Sequence, residues 1–288
     1  MKDVAHTSQI TEALRIHVVD GIMHLDRPMW IRRLVSSTVR GFSGHRLREY
    51  APEICDRLFK PVGEINLPSA CLFQHLEQKA YEGEIVRFRI ATWDSGMELI
   101  PAMQYAMEAG RGQPFGGQGA RLQYVEWDET VRLGFEGYTG DTDAIRLIMA
   151  TPVHLRLAKQ TISEHKMNLG CLVHGCVHRL NALSRAYGNG VSLELEPYLA
   201  EAALTTEHHR RLRYVTPRRY SSTQDTSINL GGVLGTLEMA DVHHAITDLL
   251  YTANILHIGR HTAEGCGRII TIPAHDPTSP ALPDDEEW

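Results

Sequence analysis

The chain has 288 residues, of which 43% are hydrophobic and 22% charged, and a net charge of −6. At about 150 residues per domain this length predicts two domains, and the composition excludes a disordered chain. No apolar run reaches the roughly 18 residues of a membrane span, and the N-terminus lacks the apolar segment of a secretory signal. We therefore expect no membrane partner. The five cysteines are scattered and odd in number, so we expect reduced thiols in a cytoplasmic protein.

The first half of the chain alternates between β-prone and helical patterns. Residues 13–19 are β-prone, and the apolar spacing from Ile31 to Phe42 is typical of a helix that faces a core. Residues 52–80 are predicted to be a long irregular connection. A strand, a helix, a glycine-rich loop and a closing strand are then predicted at 85–90, 97–109, 110–119 and 120–127. The order is β-α-β-α-β, with room for one more strand beside residues 85–90.

The second half repeats this order. Its predicted strands are 144–157, 212–215, 227–237 and 268–272, its predicted helices are 162–187 and 242–256, and a second glycine-rich loop covers 259–267. Two successive β-α-β-β-α-β units predict an α+β protein with tandem ferredoxin-like, RRM-like domains. We place these domains at 1–139 and 140–288, with the boundary near Gly137–Thr142. Such a domain leaves one sheet face open, which binds RNA or packs on the sister domain.

Arginine is unevenly distributed in this acidic chain. It outnumbers lysine 24 to 5, and five arginines crowd ten positions, interleaved with tyrosines: Arg210, Arg211, Arg213, Arg218 and Arg219. Guanidinium groups suit bidentate phosphate contacts and stacking on bases, so the cluster predicts a surface that follows RNA. On a strand, Arg211 and Arg213 share one face, with Leu212 and Tyr214 on the other. The alternative interpretation is an ordinary solvated face.

Three stretches carry a resemblance to a known family. They are Val39–Arg48 (VRGFSGHRLR), Arg218–Gln224 (RRYSSTQ) leading into Leu230–Gly235 (LGGVLG), and Leu256–Arg268 (LHIGRHTAEGCGR). Thr151-Pro152 and Phe115–Gly119 support them. In this order and spacing they resemble the CRISPR-associated repeat-RNA processing endoribonucleases of the RAMP superfamily, and the C-terminal glycine-rich loop is the most specific of the matches.

The resemblance implies tandem ferredoxin-like domains and a single cut on the 3′ side of a CRISPR repeat hairpin in precursor crRNA. The reaction that it implies is attack of the ribose 2′-OH on the adjacent phosphate, without metal or cofactor, with the product crRNA retained. The expected partners are repeat RNA, crRNA and other CRISPR effector subunits. Two alternatives stay open: a catalytically inactive RNA-binding RAMP subunit of an effector complex, and an RNA-binding protein unrelated to CRISPR.

The catalytic residues implied are His45, which resembles the helix-borne histidine of the family, with Arg48 and Arg40. Metal-free cleavage needs a base, an acid and positive charge on the phosphorane, which histidine and arginine can supply. On a continuous helix His45 would lie beside the buried-looking Leu34 and Thr38, with Arg40 opposite, unless glycines break the helix. Alternatively, His45 is a packed or capping histidine. The tyrosine and lysine that family members often add have no counterpart in a matching motif.

The second glycine-rich loop is predicted to contact RNA, because glycine lets main-chain N–H groups approach a phosphate closely. The predicted RNA-binding residues, besides the five clustered arginines, are Gln224, Gly259, Arg260, His261, Thr262, Gly265, Gly267 and Arg268. The alternative is a loop that turns a helix into a strand against the neighbouring domain. The loop at 110–119 has the same two interpretations. The spacing of Cys171, His174, Cys176 and His178 is not a usual zinc pattern and indicates helix packing.

Overall fold

The computed structural model describes residues 7–32, 34–59, 68–77, 80–93, 96–128, 131–132, 143–221 and 226–274. The helices are α1 (Thr7–Ala13), α2 (Ser36–Tyr50), α3 (Pro52–Phe59), α4 (Gly96–Ala109), α5 (Leu169–Tyr187), α6 (Leu195–Ala202), α7 (His244–Tyr251) and α8 (Ala253–Leu256). The strands of the first half are β1 (His17–Ile31), β2 (Cys71–His75), β3 (Tyr81–Thr92), β4 (Leu122–Trp127) and β5 (Val131–Arg132). Those of the second half are β6 (Ile145–Val153), β7 (Arg156–Leu157), β8 (Gln160–Thr161), β9 (Thr206–Val215), β10 (Arg218–Ser221), β11 (Thr226–Asn229), β12 (Gly232–Ala240) and β13 (Ile269–Pro273).

The two main sheets have the same strand order. The N-terminal sheet runs β2-β3-β1-β4, with β5 paired to β1, and the C-terminal sheet runs β9-β12-β6-β13. In each sheet the first strand of the unit lies between the third and the fourth, and the neighbouring strands are antiparallel. One helix follows the first strand and another precedes the last, which is the β-α-β-β-α-β arrangement. The predicted α+β fold with tandem ferredoxin-like domains is confirmed.

Several boundaries differ from those predicted. Ile31 ends β1 rather than opening a helix, and α2 begins only at Ser36. The connection predicted to be irregular at 52–80 contains α3 and β2. All five residues of β2 are buried, so the strand has no alternating pattern by which the sequence would show it. The predicted domain boundary at 137–142 lies outside the described residues. Within those residues, no helix combines the length and apolar character needed to cross a membrane.

The hydrophobic cores show how the two halves join. Across β1, β3 and β2, the row Val19–Ile90–Phe73 packs into the N-terminal core beneath α2 and α4. The neighbouring row Val18–Ala91–Leu72 points to the other side of the sheet and belongs to the core of the C-terminal half. Helix α1 joins that same core through Ile10 and Leu14. Of the two roles expected for an open ferredoxin-like sheet face, this part of the N-terminal sheet packs on the sister domain.

Candidate functional site

The second glycine-rich loop leads from α8 through a short 3₁₀ turn (Thr262–Glu264) to β13. Gly259 and Gly267 have φ angles of 82° and 85°, in the region that favours glycine. A Cβ atom at Gly259 would collide with the main-chain oxygen of His154, and one at Gly267 with that of Ile258. These two glycines are therefore needed for protein packing. This favours the interpretation of the loop as a structural turn, and it leaves RNA contact to the charged residues of the loop.

The same loop docks on helix α2 of the N-terminal half. The Ser36 hydroxyl donates a hydrogen bond to the main-chain oxygen of Glu264 at 2.9 Å. Gly265, with a φ angle of 89°, lies so close that a Cβ atom there would collide with the Ser36 side chain. The family-like loop and the family-like helix are therefore in direct contact, although they are 228 residues apart in sequence.

A cluster of two arginines around one carboxylate lies at this contact. The nearest Glu264 oxygen is 3.7 Å from Nη1 of Arg40 and 3.5 Å from Nη1 of Arg219. The Arg40 guanidinium also lies 4.9 Å above the centre of the Phe59 ring. The structure thus brings together Arg40, predicted to be catalytic, and Arg219, predicted to bind RNA. With one negative and two positive groups, the cluster keeps a net positive charge that suits a phosphate.

His45 and Arg48 lie elsewhere on α2. The helix is continuous from Ser36 to Tyr50, so its glycines do not break it. Five residues correspond to about 140° around a helix, which separates the His45 side chain from that of Arg40. Both His45 and Arg48 are exposed. The prediction that His45 falls on the buried face is wrong, because α2 buries the row Val39, Ser43 and Leu47 instead.

Two histidines meet beside the loop. Nδ1 of His154 is 2.8 Å from the main-chain oxygen of Gly231, which can only accept, so Nδ1 carries the proton. The His154 ring contacts the ring of His261 edge-to-face, with 6.1 Å between the ring centres. Burial is the main cause that lowers the pKa of both histidines, and the nearby Arg260 lowers both further. Both imidazoles are therefore neutral at neutral pH.

The sequence interpretation missed two residues of this site, Glu264 and His154. Glu264 stands inside the quoted loop motif, but nothing in its spacing shows that a carboxylate there faces arginines of two other elements. His154 comes two residues after Pro152, which ends the Thr151-Pro152 match. That proximity is the only local signal, since its partner Gly231 is 77 residues away.

The other loop residues that were predicted to bind RNA differ in their exposure to solvent. Gly259 and Arg260 are exposed, whereas Thr262, Gly265 and Gly267 are buried.

Arg268 lies between the two halves rather than on the surface. Its Nε donates to the side-chain oxygen of Asn254 at 3.0 Å. The amide oxygen of Gln74, in the orientation that satisfies both side chains, accepts from the guanidinium at 3.0 Å. Burial, with a smaller effect of Arg89, lowers the pKa of Arg268 to about 10. The side chain thus joins β13 to the N-terminal sheet, and this position supports a structural role.

The five clustered arginines also differ in their exposure to solvent. Arg211 and Arg218 are exposed, and Arg213 is half-buried. Leu212 and Tyr214 pack against the C-terminal core, as the alternation on this strand predicts. Arg210 is held by a bidentate pair with Glu207 at 2.7 and 2.6 Å and by a bond to the Met167 carbonyl. Gln224 lies outside the described residues.

Two further sequence features have packing roles. In the loop at 110–119, the Phe115 side chain is fully buried and contacts Phe42 of α2 edge-to-face. The RNA contact expected of this loop stays a prediction. Cys171 and Cys176 are buried in the C-terminal core, as the helix-packing interpretation expects.

Comparison with known proteins agrees with this geometry. Residues 147–269 match the family model of CRISPR-associated endoribonuclease Cas6. Among solved structures, a Cas6 product complex is 15% identical with a TM-score of 0.58, over 89% of this chain and 100% of that chain. Cas6 of Thermus thermophilus is 14% identical with a TM-score of 0.58, over 90% and 99%. The corresponding chain of a Cas6-RT-Cas1–Cas2 complex is 9% identical with a TM-score of 0.58, over 93% and 30%. The search of curated proteins gives no match. At these identities the solved structures show the fold.

Proposed function

We propose that this chain, whose residues 147–269 match the family model of the CRISPR-associated endoribonuclease Cas6, is a member of that family that binds the repeat hairpin of precursor crRNA and cuts it once. The 2′-OH beside the cut attacks the adjacent phosphate, no metal takes part, and the crRNA product stays bound. The observation that carries the proposal is the contact between the glycine-rich loop and α2. Around Glu264 it gathers Arg40 from one half of the protein and Arg219 from the other.

The charges around this contact suit a phosphodiester. Two guanidinium groups near one point can neutralise the non-bridging oxygens as negative charge grows on them in the phosphorane. Arg260, Arg211 and Arg218 are exposed and add positive charge to the C-terminal surface, in a chain that is acidic overall. RNA that follows these arginines would release counterions, so its affinity would fall as salt rises.

Of the catalytic residues expected from the family resemblance, Arg40 is the one that lies at the Glu264 contact. His45 and Arg48 lie on an exposed part of the same helix, where RNA that crosses α2 would meet them. Their part in cleavage stays a prediction. His45→Ala tests it directly, because a catalytic histidine contributes about 10²–10⁴-fold to the rate.

The deciding experiment uses a pair of repeat RNAs incubated with the protein in EDTA, one all-ribose and one with a 2′-deoxy nucleotide at the cut. We expect one cut in the first, with a 2′,3′-cyclic phosphate and a 5′-OH at its ends, and none in the second. A native gel of the same reaction shows whether the product stays bound. Cleavage of neither RNA, with both still bound, would replace the ribonuclease with a binding protein.

That second function, a catalytically inactive RNA-binding subunit, is favoured by one observation. The helix-borne histidine of the resemblance, His45, does not lie at the Arg40–Glu264 contact. In that case the crRNA would be held for other CRISPR effector subunits. Binding of both RNAs with cleavage of neither is the result that distinguishes this function.

A further inference from the structure

His261 is held in a fixed position at the edge of the Arg40–Glu264–Arg219 cluster. It precedes the 3₁₀ turn in the left-handed conformation, with a φ angle of 61°. Its main-chain oxygen accepts hydrogen bonds from the N–H groups of Glu264 at 3.0 Å and Cys266 at 3.2 Å. These bonds fix the main chain at His261, and the side chain is half-buried, so its ring keeps an accessible part.

The His154 ring packs against the His261 ring. The hydrogen bond from its Nδ1 to the main-chain oxygen of Gly231 fixes the His154 ring. Because the two rings are in edge-to-face contact, the His154 ring in turn limits how the His261 ring can rotate. Nε2 of His154 is buried and has no hydrogen-bond partner among the described residues. A buried nitrogen cannot reach RNA in solution, whereas the half-buried His261 can. The pair thus has the order carbonyl, inner histidine, outer histidine, and the inner ring restricts the outer ring by packing rather than by a hydrogen bond.

Charged groups face the pair from each surrounding element. Arg260 and Glu264 flank His261 on its own loop, and Arg156 of β7 acts on His154. Arg219 of β10 and Arg40 of α2 face Glu264 from the other side. A phosphate attracted by the exposed Arg260, which acts on both histidines, would therefore lie beside a neutral imidazole, which is the protonation state that a general base needs.

We propose, on the basis of the ribonuclease function proposed above, that His261 is the catalytic residue that takes the proton from the 2′-hydroxyl, and that His154 is its positioning residue. As the 2′-oxygen forms its bond to phosphorus, its proton moves to the His261 ring. The bond from phosphorus to the 5′-oxygen breaks, and that oxygen takes a proton from water. The His261 imidazolium then returns its proton to solvent.

The test compares three asparagine variants of the full-length protein in single-turnover cleavage of repeat RNA. Asparagine tolerates the left-handed conformation of His261, and at position 154 its amide can still donate to Gly231. His261→Asn should slow cleavage about 100-fold or more, with the affinity for 2′-deoxy repeat RNA changed less than about threefold. His165→Asn, which alters an exposed histidine, is the matched control and should cleave at the wild-type rate. Equal thermal melts show that the variants are folded.

The pH profile separates positioning from plain structural support. Cleavage by the wild type should rise with pH through a midpoint below about 6.5, because His261 acts as a base only when neutral and its pKa is lowered. The His154 ring packs against the His261 ring, so its loss lets water in and weakens the burial that is the main cause of the lowered His261 pKa. His154→Asn should therefore move the midpoint to higher pH, whereas a merely structural loss would lower the rate at every pH without moving it.

The outcomes are distinct. Cleavage by His261→Asn within threefold of the wild type would overturn the role of His261 and leave the ribonuclease function standing. An unchanged midpoint in His154→Asn would overturn the positioning role. A wild-type protein that binds repeat RNA but never cuts it would contradict the ribonuclease function, and the inference with it.

Discussion

At the residue scale, glycines with positive φ serve different purposes in the two halves of the chain. Gly265 and Gly112 have φ angles of 89° and 76°, so a side chain would strain the main chain at either position. At Gly265 the added Cβ would also collide with Ser36, whereas at Gly112 it would meet nothing within 4 Å. Comparison of Gly112 with Gly265 therefore separates two losses of stability: one from the strained φ angle alone, and one from disturbing the contact between the loop and α2.

This difference predicts the effect of alanine at each position. Gly112→Ala should lower the free energy of unfolding by about 1–2 kcal/mol, the usual cost of a left-handed alanine. Gly265→Ala should lower it by a further 1–3 kcal/mol or so, because the collision forces the loop away from α2. Urea unfolding of the two variants measures both values. Equal losses would mean that the loop does not pack on α2 as described.

At the element scale, strand β9 is the edge strand of the C-terminal sheet. Its first six residues are exposed, and they include charged and histidine side chains that discourage pairing with another sheet edge. Arg211 is exposed on this strand, but Arg210 is tied to Glu207 and to the Met167 carbonyl. The two neighbouring arginines are therefore a matched pair: one is open to RNA and the other links the strand to the segment before α5.

Alanine substitution of each arginine should have opposite consequences. Arg211→Ala should weaken binding of repeat RNA and reduce the slope of log affinity against log salt by about 1, since one phosphate contact is lost. Arg210→Ala should leave that slope unchanged and lower the free energy of unfolding by about 1 kcal/mol or less, because its ion pair is partly exposed. Filter binding at several salt concentrations and urea unfolding measure the two effects. The reverse pattern would place the RNA path on the Arg210 side.

At the scale of the whole molecule, the two halves share one core. Ile10 and Leu14 of α1 and Trp93 after β3 pack with the apolar side chains of α5 and α7. The Arg179 guanidinium lies 5.5 Å from the centre of the Trp93 ring, and the Tyr187 hydroxyl donates to the main-chain oxygen of Pro68 at 2.6 Å. Separation of the halves would expose this apolar surface, so the halves stabilise each other.

Unfolding should therefore be a single cooperative transition. Trp30 and Trp127 lie in the N-terminal half and Trp93 lies in the shared core, so the fluorescence of these three tryptophans reports on the N-terminal half and on its junction with the other half. Far-ultraviolet circular dichroism reports on both. The two signals should follow the same urea curve, which is a standard test of two-state behaviour. Two separated transitions would show that the halves fold independently.

The amino-acid sequence alone was enough to predict most of the main helices and strands and the duplicated ferredoxin-like arrangement. These follow from apolar periodicity and glycine punctuation, which are properties of short stretches of chain. The same local alternation correctly placed Leu212 and Tyr214 on one face of β9, and both pack against the C-terminal core. It failed at β2, where burial on both faces removes the alternation.

Which polar groups meet depends on the packing of the whole chain. Ser36 and Glu264 are 228 residues apart, and their contact depends on how the two halves dock. That docking turned Arg40 toward the glycine-rich loop and placed Arg268 between the sheets. The folding of each half exposed His45 and placed His154 against His261. Periodicity contains no information on such distant pairings, because a side chain's helical face is a local property, whereas its neighbours depend on the packing of the whole chain.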